Sequence, residues 1–153
     1  MKLLNVALIL LASFALAGYS SLALAVREHK ETDLPDKDKV AGIPLIPLAE
    51  AEALWKDPST IFLDVRSGAD YEFGHIPGAL SVPDEQFEQR FPALKTRLQQ
   101  ARTLVVYCKS QDCGKSLWTA LRLQNEGLMQ ARIYPYGWNE WYNHDLPIAR
   151  GSR

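Results

Sequence analysis

Cysteine and histidine are scarce in this chain, whose 153 residues include two cysteines and three histidines. Cys108 and Cys113 stand too close in sequence to cross-link distant parts of a fold, which excludes a disulfide scaffold. A lone Cys-x4-Cys spacing also offers too few ligands for zinc. We therefore expect no metal site, and we expect the two cysteines to share one loop with local chemistry.

An excess of charge of either sign is also missing. The 17 Lys and Arg residues are balanced by 18 Asp and Glu residues, which gives a net charge of −1. Proteins that bind nucleic acids usually carry a basic excess, and solvating tails carry an acidic block. We therefore expect no nucleic-acid partner, and we expect a small molecule or a protein thiol instead.

Charge is absent from residues 3–26, which are almost wholly apolar and follow the positive Lys2. This pattern is typical of a signal peptide, and Ala23-Leu24-Ala25 is a plausible cleavage site before Val26. The run is also long enough for an uncleaved anchor, because a helix of roughly 20 residues spans a bilayer. A buried N-terminal helix is the third alternative. The first two alternatives predict a periplasmic or otherwise extracytoplasmic domain, soluble after cleavage or anchored to the inner membrane.

The rest of the chain divides into a charged linker, residues 27–42, and a patterned domain, residues 43–149. In the domain short apolar runs alternate with amphipathic ones, so we predict strands at 45–46, 61–65, 80–82, 103–107 and 131–134, and helices at 48–56, 84–100 (interrupted at Pro92), 114–126 and 137–143. On helix 114–126 we expect Leu117, Trp118 and Leu121 to face the core. Repeated strand-then-helix order predicts an α/β fold with a mainly parallel sheet and helices on both faces.

The segment with the most chemistry begins at Cys108, directly after the apolar strand 103–107. Ligands of parallel sheets bind beyond the carboxyl ends of strands, which is where this cysteine lies. A tight loop there can point backbone N–H groups at an anion, and the following helix N-terminus adds partial positive charge. Both features favour a nucleophilic thiolate on Cys108. The alternative is a small buried hydrophobic residue without chemistry.

Two separated motifs resemble the rhodanese (sulfurtransferase) family. The first is Asp64-Val65-Arg66 followed by Asp70-Tyr71-Glu72-Phe73-Gly74-His75-Ile76-Pro77-Gly78-Ala79. The second is the cysteine loop followed by Tyr136-Gly137-Trp138-Asn139-Glu140-Trp141, with Leu146-Pro147-Ile148 closing the domain. The resemblance covers about residues 43–149 and implies a single five-stranded α/β domain.

The resemblance also implies a function and a set of site residues. Cys108 would take sulfane sulfur from a small donor as a persulfide and pass it to a thiol or cyanide, with no cofactor. Its loop would bind the substrate through Lys109, Ser110, Gln111, Asp112, Cys113 and Gly114, with backbone N–H groups stabilising the anionic persulfide. Arg66 would lie near the rim of the pocket; the alternative is a structural Arg66–carboxylate bridge.

Some residues of the loop depart from related patterns. Lys109 is accompanied by Asp112, whereas family members that use thiosulfate tend to have more cationic loops, which puts thiosulfate in doubt as the donor. Gly114 stands where phosphatases with a Cys-x5-Arg loop have their arginine, so a phosphatase is not favoured. For His75 a structural hydrogen bond is favoured over acid–base chemistry, and for Trp138 and Trp141 a place in the core.

Cys113 is the unusual element of the loop. It could resolve a persulfide on Cys108, lock Cys108 in a reversible disulfide, or merely pack. The rival functions are a dithiol–disulfide oxidoreductase that uses Cys108 and Cys113 together, and a binding module that has lost the chemistry.

Overall fold

The computed structural model of the protein describes residues 42–151. In chain order, its elements are α1 (Leu48–Trp55), β1 (Thr60–Asp64), α2 (Gly68–Phe73), β2 (Leu80–Ser81), a 3-10 turn (Asp84–Gln86), α3 (Phe87–Gln100), β3 (Thr103–Tyr107), α4 (Lys115–Asn125), β4 (Ala131–Tyr134) and α5 (Gly137–Asn143). The predicted signal peptide or anchor, residues 1–26, and the linker up to residue 41 lie outside the described residues.

The strands form one parallel sheet in the order β2-β1-β3-β4. The sheet is in register at its carboxyl edge, where Asp64 pairs with Ser81 and Tyr107, and Tyr107 pairs with Tyr134. The predicted α/β fold with a parallel sheet is therefore confirmed. The next residue after Tyr107 is Cys108, which leaves the sheet at the centre of this edge.

The prediction of five strands is wrong for the part of the chain that the structure describes, where the sheet has four. Residues 45–46 contribute only a bridge between Leu45 and Ile133. Ile133 donates to the carbonyl of Pro44 at 2.9 Å, and Ile46 donates to the carbonyl of Ile133 at 2.9 Å. Pro44 and Pro47 flank this pair, and a proline has no N–H with which to extend the ladder.

The two faces of the sheet are covered by separate apolar clusters. Side chains of β3 alternate between them, because successive residues of a strand point to opposite faces. Leu104, Val106 and Cys108 belong to the cluster that also holds the buried apolar residues of α3 and α4. Val105 and Tyr107 belong to the other cluster, with Trp138 and Trp141. Cys108 thus begins its loop with its side chain on the α3–α4 face.

Two details of the helices differ from the predictions. Helix α3 runs through Pro92 without interruption. Pro92 removes one backbone donor near the start of the helix, and the stacked, buried rings of Phe87 and Phe91, 5.0 Å apart, hold this turn against the core. On helix α4, Leu117, Trp118 and Leu121 are half-buried, and Leu117 and Leu121 pack against the same cluster as predicted, but the fully buried residues are others. The buried set is Ser116, Thr119, Ala120 and Leu123.

None of the helices within residues 42–151 is long and apolar enough to cross a membrane.

Candidate active site

The candidate site is the loop of residues 108–114, between the end of β3 and the start of α4. Cys108 is 3% exposed, packed among the apolar residues of the α3–α4 face. Lys109, Gln111 and Asp112 are exposed, and Cys113 is half-buried. The loop therefore keeps one sulfur in the core and turns polar side chains to solvent.

Cys108 and Cys113 are joined by a disulfide, with their Cα atoms 6.2 Å apart. This separation lies within the range of about 4.4–6.8 Å that disulfides require, because the loop curls back on itself. The chain has two cysteines, so the bond leaves no free thiol. In this form Cys108 has no thiolate to act as a nucleophile.

The backbone of the loop is held at one internal point. The Cys113 N–H donates to the carbonyl of Ser110 at 3.0 Å, which closes a turn. Among the described residues no protein acceptor faces the backbone N–H groups of Ser110, Gln111, Asp112 and Gly114. The predicted series of donors from Ser110 to Gly114 is therefore interrupted at Cys113, while its other members make no hydrogen bond to the described protein.

Helix α5 anchors the start of the loop. Trp138 donates its N–H to the Cys108 carbonyl at 2.9 Å, and Asn139 donates to the Lys109 carbonyl at 3.0 Å. Gly137 has φ +54°, and a Cβ on it would overlap the Cys108 carbonyl oxygen and lie 2.9 Å from the carbonyl carbon. Glycine is needed here both for the backbone conformation and for the close approach.

A buried polar network lies behind the loop on the other face of the sheet. Arg66 donates through Nε to Asp64 Oδ1 at 2.9 Å and through a terminal nitrogen to the Gly74 carbonyl at 2.6 Å. The Tyr107 hydroxyl donates to Asp64 Oδ2 at 2.7 Å and accepts from the Ile76 N–H at 3.2 Å. The network therefore ties the ends of β1 and β3 to the turn that follows α2.

The expectation that Arg66 binds substrate at a pocket rim is not supported by its position. Arg66 is 4% exposed, and its guanidinium lies 4.6 Å from the ring centre of Trp138. Burial alone would lower the pKa of Arg66, but the hydrogen bonds and charge of Asp64 outweigh this and raise it. The structural bridge describes its contacts, and Arg66 is a permanent cation inside the domain.

The charge of Asp64 also acts on Tyr107. Burial first, and then the charge and hydrogen bond of Asp64, raise the pKa of Tyr107 well above its ordinary value. Tyr107 therefore stays a neutral hydrogen-bond donor, directly before Cys108. Sequence reasoning missed this residue, because its partner Asp64 lies far away in sequence.

The other singled-out residues have structural contacts. The buried His75 stacks on Tyr71, with ring centres 3.7 Å apart, and its Nδ1–H donates to the Tyr71 carbonyl at 2.8 Å. Trp138 and Trp141 are buried, as expected for core residues. His144 is exposed, and His29 lies outside the described residues.

A shallow groove of about 380 Å³ runs beside the loop. One wall is the loop itself and the other is α5 with the residues flanking it. Its lining residues are of polar types and two of them are acidic: Ser110, Gln111, Asp112, Tyr136, Asn139, Glu140, Asn143 and His144. A larger groove of about 760 Å³, lined by residues of β2 and α3, lies at the β2 edge of the sheet and contains no cysteine.

Comparison with known proteins assigns the fold to a family. The sequence profile described as "Rhodanese-like domain" matches residues 48–144. A tRNA uridine(34) hydroxylase of Pectobacterium carotovorum subsp. carotovorum (strain PC1) is 38% identical over 61 residues, which are 39% of this chain and 17% of that protein. A relative of the same description from Citrobacter koseri is 36% identical over 62 residues and 18% of its length. This chain thus aligns with less than a fifth of the curated relatives it matches.

Solved structures agree on the architecture. A protein of unknown function from Rhodopseudomonas palustris CGA009, described as a possible tyrosine phosphatase, superposes with a TM-score of 0.64 at 25% identity, covering 74% of this chain and 89% of that one. A thiosulfate sulfurtransferase from Pseudomonas aeruginosa gives a TM-score of 0.58 at 22% identity, covering 74% of this chain and 23% of that one. At that identity the second likeness concerns the fold alone.

Proposed function

This chain belongs to the family of proteins with a rhodanese-like domain, and from that premise we propose that it transfers sulfane sulfur through a persulfide on Cys108. The observation that carries the proposal is the position of Cys108 at the carboxyl end of a central parallel strand, in a loop with free backbone donors. The disulfide must first be reduced, because only the thiolate is a nucleophile.

The proposed reaction has two displacements at sulfur. The Cys108 thiolate attacks the sulfane sulfur of the donor, whose S–S bond breaks as the remainder of the donor leaves with the electron pair. The acceptor, a thiolate or cyanide, then attacks the outer sulfur of the persulfide, and the electron pair returns to Cys108. The free N–H groups of Ser110, Gln111 and Asp112 are suited to stabilising the anionic persulfide between the two steps.

The groove beside the loop favours some acceptors and donors over others. Asp112 and Glu140 are the two acidic residues of its lining, of which Asp112 is exposed, and Lys109 is the nearest exposed cation in sequence. A dianion such as thiosulfate would be repelled by those carboxylates, whereas an uncharged or cationic thiol would not. We therefore favour an organic persulfide or an uncharged organic polysulfide as donor and a thiol as acceptor.

The experiment is intact-mass analysis of the reduced and desalted Cys113→Ser variant, in which no second thiol can remove the added sulfur, after exposure to thiosulfate, mercaptopyruvate or a polysulfide. Sulfur transfer predicts a gain of one sulfur atom, removed again by cyanide as thiocyanate. A protein that gains no sulfur from any of these donors, while Cys108 is shown to be a free thiol by alkylation, contradicts the proposal and leaves a binding module.

The disulfide favours a second candidate, a dithiol–disulfide oxidoreductase that uses Cys108 and Cys113. Such an enzyme would exchange its bond with a partner dithiol and never carry extra sulfur. The same mass measurement on Cys113→Ser separates the two candidates, because an oxidoreductase that needs both thiols would gain no sulfur atom in this variant.

Neither the phosphatase nor the hydroxylase activity named for similar proteins is carried over to this chain. Gly114 occupies the position where a Cys-x5-Arg phosphatase needs its arginine. The net charge of −1 provides no basic excess for binding tRNA.

Residues 1–26 are proposed to export the domain, as a cleaved signal peptide or as an anchor in the inner membrane, so that sulfur transfer would take place outside the cytoplasm.

A further inference from the structure

The two sulfur atoms of the loop are unequal in their surroundings. Cys108 is 3% exposed at the end of a central strand, whereas Cys113 is half-buried at the edge of the loop, directly before the first turn of α4. The backbone of Cys108 is fixed by Trp138 from α5, and that of Cys113 by the carbonyl of Ser110. The bond between them therefore joins an enclosed sulfur to an accessible one, each on an anchored main chain.

We propose that Cys113 is a resolving thiol that expels the sulfur carried by Cys108 as hydrosulfide, which makes the protein a sulfane-sulfur reductase as well as a carrier. This inference rests on the proposed function, because it needs a persulfide on Cys108. It adds a second fate for that persulfide, in which the sulfur is released as sulfide and is not handed to an acceptor.

The reaction needs only the two cysteines of the loop, the sulfur carried by Cys108 and one dithiol reductant. The Cys113 thiolate attacks Sγ of the Cys108 persulfide, a new S–S bond forms between the two cysteines, and hydrosulfide leaves with the electron pair of the broken bond. The sulfane sulfur is reduced and the two cysteines are oxidised to the disulfide seen here. A dithiol reductant supplies the two electrons that reopen the loop for the next turnover.

In the structure the attacking sulfur of Cys113 already lies next to its target, Sγ of Cys108. In the disulfide the Cys113 sulfur is bonded to the same Sγ that would carry the persulfide, and the Cα atoms are 6.2 Å apart. Only the loop 108–114 must relax when the bond opens, and its two ends stay anchored to α5 and α4. An intramolecular thiol held in this way competes strongly with free thiols in solution. The partial positive charge at the start of α4, an 11-residue helix, favours the thiolate of Cys113.

Cys113 is more exposed than Cys108, and this difference decides which sulfur atom of the disulfide the reductant attacks. A thiolate of the dithiol reductant reaches Cys113 more readily than the enclosed Cys108. Attack at Cys113 forms a mixed disulfide there, and Cys108 leaves as the thiolate. The second thiol of the reductant then displaces Cys113. Each cycle thus returns the nucleophile to Cys108 before the resolving thiol is freed.

The test compares the fully reduced, desalted full-length protein with its Cys113→Ser variant in a single turnover. The chain has two cysteines, so this variant carries one thiol and any added sulfur is assigned without ambiguity. A polysulfide of three or more sulfur atoms is the donor, so that its remainder leaves as a shorter polysulfide and not as sulfide. No thiol acceptor is present, and released sulfide and intact mass are followed together. Cys108→Ser serves as the control that must neither gain sulfur nor release sulfide beyond the donor's own background.

We expect the wild type to release one equivalent of sulfide per chain and to lose two hydrogens, while Cys113→Ser keeps one extra sulfur atom and releases none. If Cys113→Ser gains no sulfur, the proposed persulfide chemistry of Cys108 is wrong. If both proteins hold the same persulfide without releasing sulfide, sulfur transfer stands and the resolving role of Cys113 is wrong. A mixed disulfide trapped with a monothiol reductant at Cys108, and not at Cys113, overturns the direction of reopening.

Discussion

The α-carbon of Gly137, the first residue of α5, packs directly on the main chain of Cys108. A Cβ at Gly137 would overlap the Cys108 carbonyl oxygen, the same oxygen that accepts the Trp138 N–H at 2.9 Å. The position of the Cys108 main chain is therefore set by contacts to α5 as well as by its own strand. This relationship explains why the Tyr136-Gly137-Trp138 motif accompanies the cysteine loop in sequence.

Substituting Gly137 with alanine should displace the loop and reduce sulfur transfer more than it reduces stability. The φ of +54° alone makes alanine unfavourable by about 1–2 kcal/mol, and the overlap with Cys108 adds to this cost. Urea unfolding and persulfide formation would be measured together. Gly127→Ala is the matched control, because its φ is +83° but nothing lies within 4 Å of the added methyl group. Equal loss of activity in both variants would show that the contact with Cys108 is unimportant.

Tyr107→Phe should destabilise the fold by about 1–3 kcal/mol near neutral pH, because Asp64 and the Ile76 N–H both lose a buried hydrogen-bond partner. The variant should also change the alkaline limb of the stability curve. The pKa of Tyr107 is raised in the folded protein, so its contribution is complete below the unfolded value of about 10 and is lost as the pH rises above it.

The measurement is urea unfolding of the wild type and the variant at several pH values up to the alkaline range. The wild type should lose stability more steeply with rising pH than Tyr107→Phe. Tyr142→Phe, at an exposed tyrosine, is the control and should parallel the wild type. Identical slopes in all three proteins would contradict the assigned role of the Tyr107 hydroxyl.

The sequence predicted the parts of the fold that depend on local pattern. The apolar run at 103–107 and the segments 131–134 and 137–143 became β3, β4 and α5 with the predicted bounds. Helix α2 was missed because it has 6 residues, although Ser67 accepts the Asp70 N–H at 3.1 Å in a recognisable cap. Residues 45–46 were predicted as a strand but form only a bridge, because the flanking prolines have no N–H with which to extend the ladder.

The place of the candidate site at the end of a strand was predicted, but the burial of the residues around it was not. Cys108 could be placed at a strand end from the pattern of residues alone. The burial of Arg66 depends on Asp64, Tyr107 and Trp138, which come from three elements, so the sequence left open both the rim position that the family resemblance implies and a structural Arg66–carboxylate bridge. The close approach of Gly137 is likewise a property of tertiary packing that no local pattern contains.

Cys108→Ser should abolish cyanide-dependent release of sulfur from every accepted donor. A serine hydroxyl is close in size to the thiol but cannot form a persulfide, so the reduced fold should remain intact. Activity is followed as thiocyanate formation, and the fold by circular dichroism under reducing conditions, since the variant also lacks the disulfide. Turnover retained in this variant would rule out Cys108 as the sulfur carrier.

Residues 1–26 should direct the domain out of the cytoplasm. Fractionation of cells is expected to place the protein in the periplasmic fraction if the segment is cleaved, and in the membrane fraction if it remains as an anchor. N-terminal sequencing of the soluble form should begin at Val26, after Ala23-Leu24-Ala25. A cytoplasmic, soluble protein that retains Met1 would contradict both alternatives. A fusion that lacks residues 1–26 is the control and should stay in the cytoplasm.

The Cys108–Cys113 disulfide should hold the protein inactive until it is reduced. A cysteine bonded in a disulfide offers no thiolate, so reduction of the oxidised wild type should raise sulfur transfer to cyanide by roughly tenfold or more. The protein would be treated with dithiothreitol and desalted before the assay, so that the reductant cannot act as an acceptor. Cys113→Ala cannot form the bond, and its activity should be the same before and after this treatment.

If reduction activates both proteins alike, the disulfide is not what inactivates the protein, and the reversible effect belongs to oxidation of Cys108 itself. If the oxidised wild type is fully active without reduction, Cys108 does not depend on release from Cys113, and the bond has no regulatory role.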